Sequence, residues 1–224
     1  MRTVIFAGGT LRQGSGVRQA LSTAQLIIAA DRGAQTALHH GVVPAIVVGD
    51  LDSLALPVQE LEARGCELVQ APVEKNETDC ELAIQIALER GASSITLLGG
   101  LGGARFDHTL ANVFLLVGFA SVPICIVDGA MACWLLQGPG KTSLDGQVGD
   151  LVSLFPMTAA AHGVKTQHLY YPLRNETLYF GKPRGVSNVL AQPHAEVELA
   201  QGLLLIVHTR LSELEGDHKG APLQ

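Results

Sequence analysis

The chain has 224 residues, 47% of them hydrophobic and 16% charged, with a formal net charge of −6. That content supports a sizeable buried core and excludes a disordered chain, while the length fits one large domain or two small ones. The negative balance argues against a nucleic-acid surface, which needs a basic footprint, but leaves a phosphate-bearing small molecule open because a metal can supply positive charge locally.

In chain order, apolar runs at 3–7, 26–30, 45–48, 67–70, 94–98 and 123–127 read as short buried strands. Runs of this kind suit a parallel sheet covered on both faces. The first run, before Gly8-Gly9, is too short for a signal peptide. Between the fourth and fifth runs, Cys80, Ala83, Ile84, Ala87 and Leu88 share one helical face. Thr78 followed by Glu81 marks a capping box at that helix start, and Arg90-Gly91 marks its stop. A further helix is expected from near Asp107 through Ala111, Phe114 and Leu115. Residues 113–127 are broken by Gly118, Ser121 and Pro123, which favours a helix followed by a strand over a membrane span. Strand–helix alternation predicts an α/β layer fold.

Past Gly129 the helical periodicity stops and glycines punctuate short segments rich in β-formers. Strands are expected at 148–155, 168–173, 177–180 and 203–207, in an antiparallel sandwich or barrel. The expected organisation is an α/β domain over 1–129, an all-β domain over 130–214, and a polar tail over 215–224 that frays. Trp134 is read as a core residue at the domain junction. Cys66, Cys80, Cys125 and Cys133 form no metal-type cluster, and buried free thiols in a reducing, cytoplasmic compartment are the expectation.

Ligands of an open parallel sheet bind at the carboxyl ends of its strands. Here those ends carry Gly8-Gly9, Asp31-Arg32-Gly33, Gly49-Asp50-Leu51-Asp52-Ser53, Lys75 to Asp79, and Gly100 to His108. Asp50 and Asp52 lie two apart after a strand, so an extended backbone points both to one side. Crowded carboxylates repel, and a cation with a taste for oxygen, such as Mg²⁺, relieves that. Each residue also has a plainer reading. An acid at Asp79 is favoured by the helix dipole alone, and Asp31 can be a turn residue. Thr78 reads first as a cap, Lys75 suits a phosphate contact, and His108 can be a capping or core residue. The loop 99–103 has the composition of a phosphate loop without the Walker lysine.

Six segments in order resemble the thiamine pyrophosphokinase (thiamine diphosphokinase) family. They are Ala30-Asp31-Arg32-Gly33-Ala34, Gly49-Asp50-Leu51-Asp52-Ser53, Lys75 to Glu81, Gly103 to Asn112, Gly149 to Pro156, and Gly185-Val186-Ser187-Asn188. The resemblance implies an α/β fold class: an N-terminal Rossmann-like parallel sheet with flanking helices, then a C-terminal all-β sandwich. It implies transfer of the pyrophosphoryl group of ATP to the thiamine hydroxyl, giving thiamine diphosphate and AMP, with Mg²⁺ and in a homodimer that shares its active sites. Carried over by motif, Asp50, Asp52 and Asp79 serve Mg²⁺ and the triphosphate, and with Arg105 they are the expected catalytic set. Asp31, Lys75, Thr78, Arg105, Asp107 and His108 are the expected ATP contacts. Tyr171, Ser187 and Asn188 are the expected thiamine contacts. Ala104 and His168 stand where the family usually has glycine, and Asn76 where aspartate is common. Two other readings are a Mg²⁺-dependent nucleotide-sugar transferase and a non-enzymatic thiamine- or nucleotide-binding module. The first offers no reason for the Gly185 to Asn188 segment.

Overall fold

A computed structural model describes residues 1–51, 54 and 57–217, the side chains of 215–217 excepted. It forms two compact units, Met1–Gly129 and Ala130–Gln224. The first contains β1 (Arg2–Phe6), α1 (Ser15–Thr23), β2 (Leu26–Ala30), α2 (Gly33–His39), β3 (Ile46–Gly49) and α3 (Val58–Ala63). It continues with β4 (Glu67–Gln70), α4 (Asp79–Glu89), β5 (Ser94–Leu98), α5 (Phe106–Gly118) and β6 (Ile124–Asp128). The strands run parallel in the order β6-β5-β1-β2-β3-β4. The six apolar runs become these six strands, shifted by at most a residue at an end. Central strands are buried throughout, as with Ile46–Gly49 and Val4 to Phe6, because helices α1, α2 and α4 pack on them.

Helix α4 shows how local sequence sets an element. Thr78 is extended and its side chain accepts the Glu81 N–H at 3.2 Å, which satisfies one of the orphan donors of the first turn. Ala83, Ile84 and Ala87 then face the sheet, and Gly91 ends the helix in the left-handed region.

The second unit contains β7 (Met131–Gln137), β8 (Gly140–Asp145), β9 (Leu151–Pro156), β10 (Ala160–Gln167), β11 (Arg174–Tyr179), β12 (Asn188–Val189), β13 (His194–Leu199), β14 (Leu203–Thr209) and α6 (Leu211–Asp217). Its strands pair antiparallel in two series, β12-β9-β14-β7 and β11-β10-β13-β8. Side chains from both series, among them Leu136, Leu154 and Ile206 on one side and Val164, Leu178 and Val197 on the other, make one buried cluster, with Trp134 packed against it.

Two expectations need correction. No strand forms over 168–173. His168 takes φ +61°, which turns the chain, and only Leu169 makes an isolated bridge, to Leu190. The strand lies upstream, in β10, where the pairing register with β11 shifts between Ala161 and Val164 and breaks the alternation. Helix α6 also covers 215–217 of the segment expected as a frayed tail, and the remainder of that segment lies outside the described residues.

A buried pair closes this unit. His208 lies 3.3 Å from an Asp150 oxygen, both side chains nearly sealed from water, and Asp150 also accepts the N–H groups of Gln147 and Leu211. Burial lowers the His208 pKa, Arg210 acts the same way, and Asp150 opposes them. The unfolded chain therefore takes up the proton first as pH falls below about 6.5. The stabilising contribution is complete above that pH and is lost progressively on acidification toward the lowered folded-state value. Urea midpoints measured at pH 7.5 and 5.5 should fall more for the wild-type chain than for His208→Gln.

Candidate active site

The carboxyl ends of the parallel strands surround a cleft of about 910 Å³ within the first unit. From β2 comes Asp31, at φ +46°, with its N–H on the Val48 carbonyl at 2.7 Å. From β3 comes Asp50, directly after Gly49. A side chain at Gly49 would press on Asp31 at 3.0 Å, so glycine lets the two acidic turns lie side by side. Lys75, Thr78 and Asp79 reach the cleft from the start of α4, and Arg105, Asp107 and His108 from the start of α5. Asp52 lies outside the described residues. The other eight residues expected at ATP or metal thus border one cleft. Among the described residues, no three His, Cys, Asp or Glu side chains stand close enough to hold a metal by themselves.

The charges are paired. Lys75 Nζ donates to an Asp79 oxygen at 2.7 Å, in a partly buried contact. Arg105 grips Asp107 through Nε at 3.0 Å and Nη2 at 2.5 Å, an exposed pair at the start of α5. That guanidinium contact holds the Asp107 carboxyl down at about 2. Incoming phosphate oxygens would compete for both cations, which are already gathered at the cleft. Ala104 is not among the residues with positive φ, and the left-handed conformation belongs to Gly103.

Two glycine loops also line the cleft. A β-carbon on Gly9 would sit 2.2 Å from the Gly102 carbonyl oxygen, and one on Gly102 would sit 2.1 Å from that of Thr10. Only glycine permits this backbone-on-backbone approach. Asn112, buried on α5, donates to the Gly100 carbonyl at 3.0 Å and ties the second loop to its helix.

Cys80 also borders the cleft. Burial pushes its thiol up to about 12, with the Asp79 charge adding to the effect. Iodoacetamide at pH 8 should leave Cys80 unmodified in the folded chain and label it in denaturant, as read by peptide mass spectrometry.

The second unit holds the expected thiamine contacts. Asn188 is buried; its Oδ1 accepts the N–H groups of Tyr171 at 3.0 Å and Val189 at 2.9 Å, and its Nδ2 donates to the Tyr171 carbonyl at 2.7 Å. Asn188 thereby fixes the backbone of Tyr171, whose exposed ring meets that of Tyr170 edge-on at 4.8 Å. Ser187 sits at φ +58°, with its N–H on Ser153 Oγ at 3.0 Å. His168 accommodates its left-handed backbone, with Nδ1 2.9 Å from the His194 carbonyl oxygen.

Sequence reasoning passed over Asp128. It ends the sixth strand at the same edge of the sheet, is fully buried, and binds Arg12. The strand-end rule that found the other aspartates would have found it too.

The family model described as "Thiamin pyrophosphokinase, catalytic domain" matches residues 17–127, and "Thiamin pyrophosphokinase, vitamin B1 binding domain" matches 141–204. The chain belongs to the thiamine pyrophosphokinase family. The thiamine pyrophosphokinase of Bacillus subtilis (strain 168) is 28% identical over 190 residues, 82% of this chain and 87% of that protein. Among solved structures, thiamine pyrophosphokinase from Bacillus subtilis superposes with a TM-score of 0.80 at 26% identity, covering 94% of this chain and 99% of the other. That from Geobacillus thermodenitrificans gives 0.78 at 28%, covering 93% and 97%. The two family models fall on opposite sides of Gly129, one on the unit with the cleft and one on the unit with Tyr171 and Asn188.

Proposed function

We propose that this chain is a thiamine diphosphokinase, which moves the pyrophosphoryl group of ATP to the hydroxyl of thiamine and releases thiamine diphosphate and AMP. The observation that carries the reading is the gathering of Asp31, Asp50, Lys75, Asp79 and Arg105 at one cleft in a chain of this family. In this reading 1–129 is a Rossmann-like α/β domain for ATP and Mg²⁺. Residues 130–214 form a β-sandwich that binds thiamine and joins two copies.

The donors suit Mg²⁺, which takes one or two carboxylates and completes its shell with water and substrate phosphate oxygens. Asp50 and Asp79, with Asp52, would hold it, and Asp31 stands at the same edge. Bound there, Mg²⁺ would supply charge neutralisation at the triphosphate. Lys75 and Arg105 turn from their carboxylate partners to phosphate oxygens, and the N-terminus of α5 adds Asp107 and His108 to the nucleotide wall. The thiamine hydroxyl oxygen bonds to the β-phosphorus, and the bond from that phosphorus to the bridging oxygen of AMP breaks. The hydroxyl proton passes to the carboxylate of Asp52 or Asp79. Little covalent work falls to the protein in such transfers, and positioning with charge compensation carries them.

Thiamine recognition is assigned to Tyr171, Ser187 and Asn188. The exposed ring of Tyr171 offers a face for a cationic aromatic ligand. Homodimerisation through the sandwich draws support from Tyr179 and Phe180, large side chains that it leaves exposed. We place the enzyme in the cytoplasm, a reading supported by its four free cysteines. No helix of the described residues is long and apolar enough to cross a membrane.

Calorimetry with thiamine and with a non-hydrolysable ATP analogue tests the binding half of this reading. Both ligands should bind, the nucleotide in a Mg²⁺-dependent manner. Binding of a nucleotide-sugar in place of thiamine would favour the transferase alternative.

A further inference from the structure

The β1–α1 loop runs along the cleft as Gly8, Gly9 and Thr10, then leaves it through Leu11, which is buried, and Arg12. At that exit Arg12 is held from three directions. Asp128 Oδ1 accepts the Arg12 backbone N–H at 2.7 Å, and Oδ2 accepts Nη2 at 2.7 Å and Nε at 3.1 Å. The next residue, Gly129, donates its N–H to the Arg12 carbonyl at 3.1 Å. A carboxylate sealed from water, as Asp128 is, is costly to the fold without a well-matched partner. A guanidinium fork fixes angle as well as distance, which an ammonium cannot do.

The contact therefore does more than join two charges. It sets the position of the chain two residues beyond Thr10, whose carbonyl abuts Gly102 in the facing loop. Resting on the nucleotide reading above, we propose that Arg12 and Asp128 are positioning residues, a latch that holds Gly8–Thr10 against the 99–103 loop and so shapes the nucleotide wall of the cleft. Neither residue touches the reacting atoms; both act through the loop. A latch of this kind governs nucleotide affinity and leaves thiamine recognition alone.

The test uses the full chain with Arg12→Ala and Arg12→Lys, the second keeping a cation for Asp128 in case the first does not fold. Circular dichroism and melting curves establish which variants are folded. Calorimetry with the non-hydrolysable ATP analogue and Mg²⁺ should then show Kd raised about tenfold in Arg12→Ala and less in Arg12→Lys, since small misplacements of binding groups are costly. KM for ATP should rise in parallel while KM for thiamine stays within about twofold, a split that lowered stability alone does not produce. Folded variants that bind the analogue as the wild type does, or that raise both KM values equally, would overturn the latch. A wild-type chain that does not bind the analogue overturns it as well. A wild-type chain that binds the analogue but makes no AMP with thiamine sinks the proposed activity instead, and the latch then stands or falls on the Kd values.

Discussion

Asp79→Asn should lower kcat by roughly 10²–10³-fold, the scale set by removal of one preorganised electrostatic group from an active site. Asp79 borders the cleft at the first turn of α4, and Lys75 contacts it at 2.7 Å. The amide keeps the shape and removes the charge, so Lys75 becomes an uncompensated cation where Mg²⁺ is to bind. The Mg²⁺ concentration for half-maximal rate should rise as well. Folding should change little. A partly exposed ion pair contributes about 0–1 kcal/mol and an acid in the first turn about 0.3–1 kcal/mol, while the Thr78 cap remains. A urea midpoint close to the wild type alongside the loss of rate separates chemistry from stability. Near-normal turnover would remove Asp79 from the proposed metal set. The same substitution at Asp52, argued from its motif position, is expected to act alike.

Asn188→Ala is the second large effect, and it combines stability with specificity. The side chain is buried, and its three hydrogen bonds go to backbone groups of Tyr171 and Val189. Truncation strands those groups, at about 1–3 kcal/mol for a buried polar group left unpaired. The exposure of Tyr171 lets water recover part of that, so a loss of about 2 kcal/mol is expected in the urea midpoint. The released Tyr171 backbone should raise KM for thiamine about tenfold, since a displaced contact loses most of its positioning value, with KM for ATP unchanged. Asn188→Asp keeps the acceptor and loses the donor to the Tyr171 carbonyl, so it should fall between. An equal rise in both KM values would show that Asn188 supports the unit as a whole and has no particular bearing on thiamine.

Much of the first unit was legible because burial on both faces writes itself as uninterrupted apolar runs. Ile46–Gly49 and Ser94–Leu98 need no tertiary knowledge to find. The α4 start was legible through Thr78 and Glu81, a local hydrogen-bond pattern. Helix α1 was not, because it has no side-chain cap and no acid in its first turn. In the second unit the register shift beside Gly163 hides the alternation of β10, and the left-handed His168 turns a stretch of apparent strand into a corner. The strand-end aspartates were legible as a group. Their partners were not, since Lys75 with Asp79 and Arg105 with Asp107 depend on side-chain direction. Arg12 with Asp128 spans 116 positions of chain and needs the fold itself.

The central claim is that the aspartate-lined cleft transfers pyrophosphate to thiamine, and nucleotide product analysis tests it most directly. ATP incubated with the chain and Mg²⁺ should give AMP only when thiamine is present, with one thiamine diphosphate formed per AMP. Production of ADP with thiamine monophosphate, or AMP release that is indifferent to thiamine, would contradict it.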